Sequence, residues 1–295
     1  MFETKSDKKI LFFGPKGSYT DIAKDKFIEK FGFENCEEIS KYTIISLIKE
    51  LDEKKDKNVL GVIPVENSIE GFVRETLDNL TRLNDESIKI LAEVVIPVSH
   101  CLITKAKSFE EITKISSYPQ GIAQCRGFIS ENLREDVSIC TAASTAQAVK
   151  DLIHTDEHAA AIASEKAAKL YGMPILAREI NDVKDNQTRF VLIGREETKR
   201  TGNDKTSITF TTENKPGALN KILNILYAYN INMSYINSRP SKKFLGEYAF
   251  YIDFDGHVKD LKIAKALFEI IQNTKSFKHV GSYAKHVEEV GFEFY

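Results

Sequence analysis

Between Lys9 and about Arg195, short apolar runs alternate with longer stretches in which apolar residues recur at helical spacing. The run KILFF and residues 59–65, 94–96, 137–140 and 160–163 predict strands, and residues 18–31, 144–153 and 164–171 predict helices. Strands alternating with helices imply an α/β layered sheet. Sites in such sheets form where strand C-termini meet helix N-termini, because unpaired backbone N–H groups there point into a crevice. Two turns fit that position. KILFF runs into Gly14-Pro15-Lys16-Gly17-Ser18-Tyr19-Thr20, and VLGVI into Pro64-Val65-Glu66-Asn67-Ser68-Ile69-Glu70-Gly71. Both combine turn chemistry with hydrogen-bonding side chains.

The pattern changes after the polar stretch REETKRTGNDK, which has no apolar periodicity and reads as a linker. It divides the chain into residues 1–195, a linker over 196–204, and a second unit over 205–295. That unit reads β-α-β-β-α-β: TSITFTT, a helix over 216–229, NMSYINSR, EYAFYIDF, a helix over about 259–271, and a strand near 277–280. Leu219, Ile222, Leu223 and Leu226 predict the buried face of the first helix, and Ala264, Leu267, Phe268 and Ile271 that of the second. A split βαβ sandwich covers its sheet on one side only, so an edge or open face is expected to meet another subunit.

At 295 residues and 42% hydrophobic, the chain is long and apolar enough for two cores. A net charge of −2 leaves no basic field for nucleic acid. The charged start MFETKSDKKI and the lack of a run of about 18 apolar residues predict no signal peptide, no membrane span and a cytoplasmic protein. Cys36, Cys101, Cys125 and Cys140 form no CxxC pair and are expected as free thiols. His154 and His158 lack a metalloprotease glutamate, and Gly14-Pro15-Lys16-Gly17 is neither a P-loop nor a dinucleotide motif. No cofactor and no metal are expected.

Four segments carry candidate chemistry. Asn186-Gln187-Thr188-Arg189-Phe190 places Thr188 and Arg189 at a strand entrance; a turn threonine and a surface arginine are the plain alternative. Glu66, Asn67 and Ser68 end a buried strand, where a helix opening at Gly71-Phe72 would turn its N-terminus toward an anion; capping by Asn67 or Ser68 is the alternative. In SSYPQGIAQC, Pro119 suits a first helical position, and Gln120 and Gln124 share a face that could grip a carbonyl or hydroxyl. In TAAST, Ser144 or Thr145 reads as a helix N-cap.

Taken together, GPKGSYT, PVENSIEG, SSYPQGIAQC, AASTAQA and NQTRF, in that order and spacing, resemble the catalytic domain of prephenate dehydratases. The GAL and NSRP segments resemble their ACT regulatory domain, and the resemblance covers about nine-tenths of the chain. It implies two α/β subdomains like the halves of a type II periplasmic binding protein, with a cleft between them, followed by a ferredoxin-like ACT domain. The implied activity is the decarboxylating dehydration of prephenate to phenylpyruvate in phenylalanine biosynthesis. The implied partners are L-phenylalanine as allosteric inhibitor and further copies of the chain, as a homodimer or homotetramer.

The resemblance further implies catalytic roles for Thr188, Asn67, Ser117 and Gln124. Arg189 would hold a carboxylate, Phe190 would form an apolar wall, Glu66 would orient its loop, and Ser68, Ser18, Ser144 and Thr145 would contact substrate. Gly217, Ala218, Leu219, Asn232, Met233, Asn237, Ser238 and Arg239 would bind the effector between two ACT domains. Asn237 stands where the family carries glutamate, which puts the strength and sign of regulation in question. With the first strand about eight residues in, a monofunctional enzyme without chorismate mutase is expected. Two other functions stay open: arogenate dehydratase, and a non-catalytic amino-acid sensor.

Overall fold

The computed structural model describes residues 7–33, 35–83, 85–240 and 248–287. Glu247 of the EYAFYIDF segment and the aromatic tail 291–295 lie outside the described residues. The first lobe contains β1 (Lys9–Phe13), α1 (Tyr19–Phe31), β2 (Glu37–Lys41), α2 (Ile44–Lys54), β3 (Val59–Asn67), β4 (Gly71–Phe72), α3 (Arg74–Arg82) and β5 (Lys89–Pro97). The second lobe follows, with β6 (Cys101–Thr104), β7 (Lys114–Ser117), α4 (Pro119–Ala123), α5 (Arg126–Asn132), β8 (Ser138–Thr141), α6 (Thr145–Leu152), β9 (Ala159–Ala163), α7 (Glu165–Tyr171) and β10 (Ile175–Ala177). The chain then returns as β11 (Gln187–Gly194), which inserts between β3 and β5.

The two sheets run β2-β1-β3-β11-β5 and β10-β6-β9-β7-β8. Two crossings, residues 98–100 and 178–186, connect the lobes. This is the two-subdomain α/β architecture expected. β11 runs antiparallel to both neighbours, so its first residues lie beside their C-terminal ends, with Thr188 opposite Asn67 and Ile96. In the second lobe β9 reads AAAIA and is buried throughout, as a central strand covered on both faces should be.

The C-terminal unit has β12 (Asp204–Thr211), α8 (Ala218–Ala228), β13 (Met233–Pro240), β14 (Tyr248–Asp255), α9 (Leu261–Gln272) and β15 (Ser276–Ala284), with sheet order β13-β14-β12-β15. The β-α-β-β-α-β order is the one expected. The buried face of α9 is not: Ile263, Ala266, Leu267 and Ile270 are buried, whereas Phe268 is 65% and Ile271 44% exposed. Its sequence carries two overlapping apolar stripes. Ile263 settles the choice by packing where Gly256 has no side chain, since a Cβ there would lie 2.7 Å from Ile263. In α8 the buried residues are Ile222, Ile225 and Leu226, with Leu219 partly buried.

The open face of this sheet, one of the two surfaces expected to meet another subunit, packs on the chain's own first lobe. Tyr251 and Tyr283 are fully buried in the first lobe's core, and Lys278 Nζ donates to Leu80 O and Leu83 O at 3.0 and 2.7 Å, at the end of α3. The connecting stretch is also tied down. Arg195 pairs with Asp85 at 2.8 Å, Glu196 with Lys8 at 2.9 Å, and Arg200 with Asp260 at 3.0 Å. β13 pairs only with β14 among the described strands and forms the sheet's edge. No helix among the described residues is long and apolar enough to cross a membrane.

Gly281 permits the approach of β15 to β5, because a Cβ there would lie 2.4 Å from Ile90 O. The obstacle is backbone, so it cannot swing aside. Gly281→Ala is expected to destabilise the protein by about 1–3 kcal/mol, the usual cost of overpacking, and thermal denaturation should show the lower Tm.

Candidate active site

The first lobe brings its strand ends together around Asn67. Its Nδ2 donates to Asn186 Oδ1 at 2.7 Å and to Thr188 Oγ1 at 2.9 Å, and lies 3.1 Å from Gln187 O. Its Oδ1 accepts from the backbone N–H groups of Ile69 and Glu70, both at 3.0 Å. The segment is therefore a hairpin, not the helix start expected at Gly71. Gly71 has φ +76°, β4 pairs back on β3, and α3 begins only at Arg74. Ser68 Oγ accepts from Gln187 N at 2.9 Å and adds a second tie to β11. Because Thr188 Oγ1 accepts from Asn67, its own proton is free to be donated elsewhere.

The second lobe meets this edge through several polar contacts. Ser164 caps α7 and donates to Gly17 O at 2.8 Å, while Lys166 Nζ reaches Asp21 Oδ2 at 2.6 Å on α1. Tyr19 Oη donates to Ser99 O at 2.7 Å and lies 3.1 Å from His100 Nδ1. His100 Nε2 in turn lies 3.1 Å from Gln124 Oε1, at the end of α4. Asn181 Oδ1 holds the His100 N–H at 2.6 Å. Burial holds the His100 pKa below its ordinary 6.5, against the opposing pull of Gln124. Tyr19, His100, Asn181 and Asn186 were given no role from sequence, although Tyr19 and Asn186 fall in the GPKGSYT and NQTRF segments. Their signal was position, since the last three flank the two crossings. The Nδ2 atoms of Asn181 and Asn186 are buried and have no hydrogen-bond partner among the described residues.

Ser18 and Ser144 cap α1 and α6, accepting from Asp21 N at 3.3 Å and Gln147 N at 3.0 Å, and Thr145 opens α6. Three other residues stand away from the cleft. Ser117 is fully buried and donates to Ile162 O at 2.6 Å beneath α4, where a Cβ on Gly121 would crowd it at 2.8 Å. Phe190 is a core residue packed with Phe12, Leu60 and Val62, not a cleft wall. Arg189 projects from the opposite face of β11 to Thr188, as successive strand residues must. It donates to Asp253 at 2.8 Å, Glu66 at 3.1 Å and Glu93 at 3.3 Å, so the carboxylates it holds are the protein's own. Burial resists ionisation of Glu93, but Lys205 and Arg189 outweigh it and hold its carboxyl below the usual range.

The residues expected to bind the effector do not form one site within a chain. Met233 pairs with Phe254 and Arg239 with Ala249, at opposite ends of β13 and roughly 20 Å apart at strand rise. Gly217, at φ +79°, opens α8 with Ala218 and Leu219. Asn232 Nδ2 lies 3.3 Å from Asp255 Oδ2, Asn237 Nδ2 donates to Tyr235 Oη at 3.1 Å, and Ser238 is exposed. Arg239 Nε lies 3.7 Å from Asp78 Oδ1 on α3.

A pair of α/β lobes joined by two crossings, with a hydroxyl and amides at their facing strand ends and a fused βαββαβ unit, defines a two-lobed α/β enzyme with an appended regulatory-type domain. The family model described as prephenate dehydratase matches residues 10–198, and that described as ACT domain matches residues 206–272. The prephenate dehydratase of Methanocaldococcus jannaschii is 38% identical over 281 residues, covering 94% of this chain and 98% of that protein. The solved structure of prephenate dehydratase from Arthrobacter aurescens in complex with L-Phe is 31% identical, with TM-score 0.82, over 94% of this chain and 89% of that one. A structure described as GqqA, a novel type of quorum quenching acylase, is 25% identical with TM-score 0.80, over 94% of this chain and 98% of that one. The chain belongs to the prephenate dehydratase family.

A buried neutral histidine supports the fold above its unfolded pKa, and that support is lost as pH falls through the depressed folded value. His279, pushed down to about 4 by burial with Lys89 adding, acts in the same direction as His100. The Tm is therefore expected to hold above pH 6.5 and to decline below it. His100→Gln should make that decline shallower in melts between about pH 8 and 5.

Proposed function

We propose that the chain converts prephenate to phenylpyruvate, with loss of water and carbon dioxide, and that L-phenylalanine restrains the reaction through the C-terminal domain. The observation that carries this is the Thr188 hydroxyl, held as an acceptor by Asn67 where the two lobes meet, which leaves its proton for donation to a departing group. Prephenate needs little more than that. The electron pair released as the carboxylate's C–C bond breaks enters the ring and expels hydroxide, so electrons balance without a cofactor. Thr188 is too weak an acid to ionise, but it donates a hydrogen bond as charge builds on the leaving oxygen.

Asn67 and Ser68 position Thr188, and Gln124, backed by His100 and Tyr19, presents an amide from the second lobe. With Arg189 engaged elsewhere, the substrate carboxylates fall to the capped N-termini of α1 and α6, through Ser18, Ser144 and Thr145. Each terminus contributes about 0.3–1 kcal/mol. Ser117 and Phe190 support these elements from behind. The separation of Met233 from Arg239 along β13 supports an effector site shared between two copies, as a homodimer or homotetramer. Asn237 brings no charge to that site, which predicts weaker inhibition. We place the reaction in the cytoplasm.

Thr188→Ala is expected to lower kcat by about a hundred- to a thousandfold, the usual cost of losing one such donor. Prephenate affinity, measured by calorimetry, should stay close to wild type; a near-wild-type rate would sink the assignment. The test of the function itself is phenylpyruvate formation by the purified protein, with and without millimolar phenylalanine. Arogenate and an acylase substrate run in parallel. Faster turnover of arogenate would shift the substrate, acylase activity alone would shift the class, and no turnover would leave an amino-acid sensor.

A further inference from the structure

We propose that the buried ion pair between Arg189 and Asp253 is a positioning device that fixes the Thr188–Asn67 pair against the C-terminal sheet, making that sheet part of the active-site frame. This rests on the dehydratase reading for its kinetic consequences.

The connections are short and buried. Glu66 immediately precedes Asn67, and Arg189 immediately follows Thr188. Arg189 Nε and Nη2 both reach Glu66 Oε2 at 3.1 Å, which ties together the two backbones that carry the reaction pair. Nη2 also donates to Asp253 Oδ2 on β14 at 2.8 Å, and Asp253 is fully buried. Behind it, Ser207 Oγ on β12 donates to Asp253 Oδ1 at 2.6 Å. A second contact runs alongside. Phe72, paired across the hairpin from Glu66, packs against Tyr235 and Tyr251 with ring centroids 5.2 and 5.0 Å away. Tyr235 lies on β13 and accepts from Asn237. The strand expected to meet the effector thus touches the hairpin that holds Thr188.

The charges allow a clean test. Glu66, Glu93 and Asp253 surround Arg189 and Lys205, so Asp253→Asn leaves two carboxylates facing two cations and strands no unpaired charge.

The expected result for Asp253→Asn is a kcat at least about tenfold lower with KM for prephenate within about twofold, the pattern of an interaction that acts on the transition state through another residue. Phenylalanine should still bind, with Kd by calorimetry within about threefold, but change the rate less than in wild type. Ser207→Ala, a milder change for the case in which Asp253→Asn folds poorly, should lower kcat about two- to fivefold at constant KM. Arg189→Lys, which loses the guanidinium fork, should also lower kcat at constant KM. A raised KM with unchanged kcat in Arg189→Lys would mean that Arg189 holds substrate, and would overturn the proposal. Wild-type kcat and phenylalanine response in Asp253→Asn would also overturn it. If the wild-type protein does not turn over prephenate, the dehydratase reading fails, and the locking is still read by scanning calorimetry. One transition in wild type splitting into two in Asp253→Asn supports the lock, and one transition in both overturns it.

Discussion

An arginine left only 7% exposed has to be neutralised where it lies, since removing a charge from water is costly unless partners replace the solvent. Arg189 meets that requirement with carboxylates from three strands: Glu66 on β3, Glu93 on β5 and Asp253 on β14. The third comes from the C-terminal domain, so the ion-pair network around Arg189 spans both units. The approach of β15 to β5 at Gly281 and the Lys278 contacts at the end of α3 follow the same docking. On the other face of β11, Thr188 is left free of ionic partners and directed to the junction of the lobes. One strand therefore separates the proposed reacting side from the structural side.

At that junction the polar groups are committed in a definite order. Asn67 spends both ends of its amide on the hairpin and β11, which fixes the threonine oxygen and leaves its proton unspent. The lobes touch through Ser164 with Gly17, Lys166 with Asp21, and Tyr19 with His100, whose other ring nitrogen meets Gln124. These contacts flank the two crossings, so a change in the angle between lobes would alter them first. The groups that hydrogen-bond around Thr188 and Asn67 are neutral hydroxyls and amides. Such groups can stabilise charge that appears on a leaving oxygen without having to give up a charge of their own.

Much of this was legible in the chain. The alternation of strands and helices gave an α/β sheet, the resemblance to prephenate dehydratases implied its division into two lobes, and apolar spacing after the polar linker gave the β-α-β-β-α-β unit. The NQTRF and PVENS segments lie together, with Thr188 opposite Asn67. What was not legible depended on which face a residue presents. Period-two alternation already implies that Thr188 and Arg189 point apart, but only the docked C-terminal sheet reveals which face is the cleft. Phe190 points to the cleft side of β11, yet ends in core because α1 covers it. Gly71 was expected to open a helix, and its positive φ serves a hairpin instead. In α9 two apolar stripes competed, and Gly256, distant from the helix pattern, decided between them. His100 gave no periodic signal and became visible only once Tyr19 and Gln124 stood on either side of it.

The most direct test of the claim that β11 separates the reacting face from the structural face is a crystal structure of the Thr188→Ala protein with prephenate bound. The account predicts the ring hydroxyl of prephenate against position 188 and the Asn67 amide, with Arg189 still paired to Asp253. A prephenate carboxylate seated on Arg189, with Asp253 displaced, would contradict it.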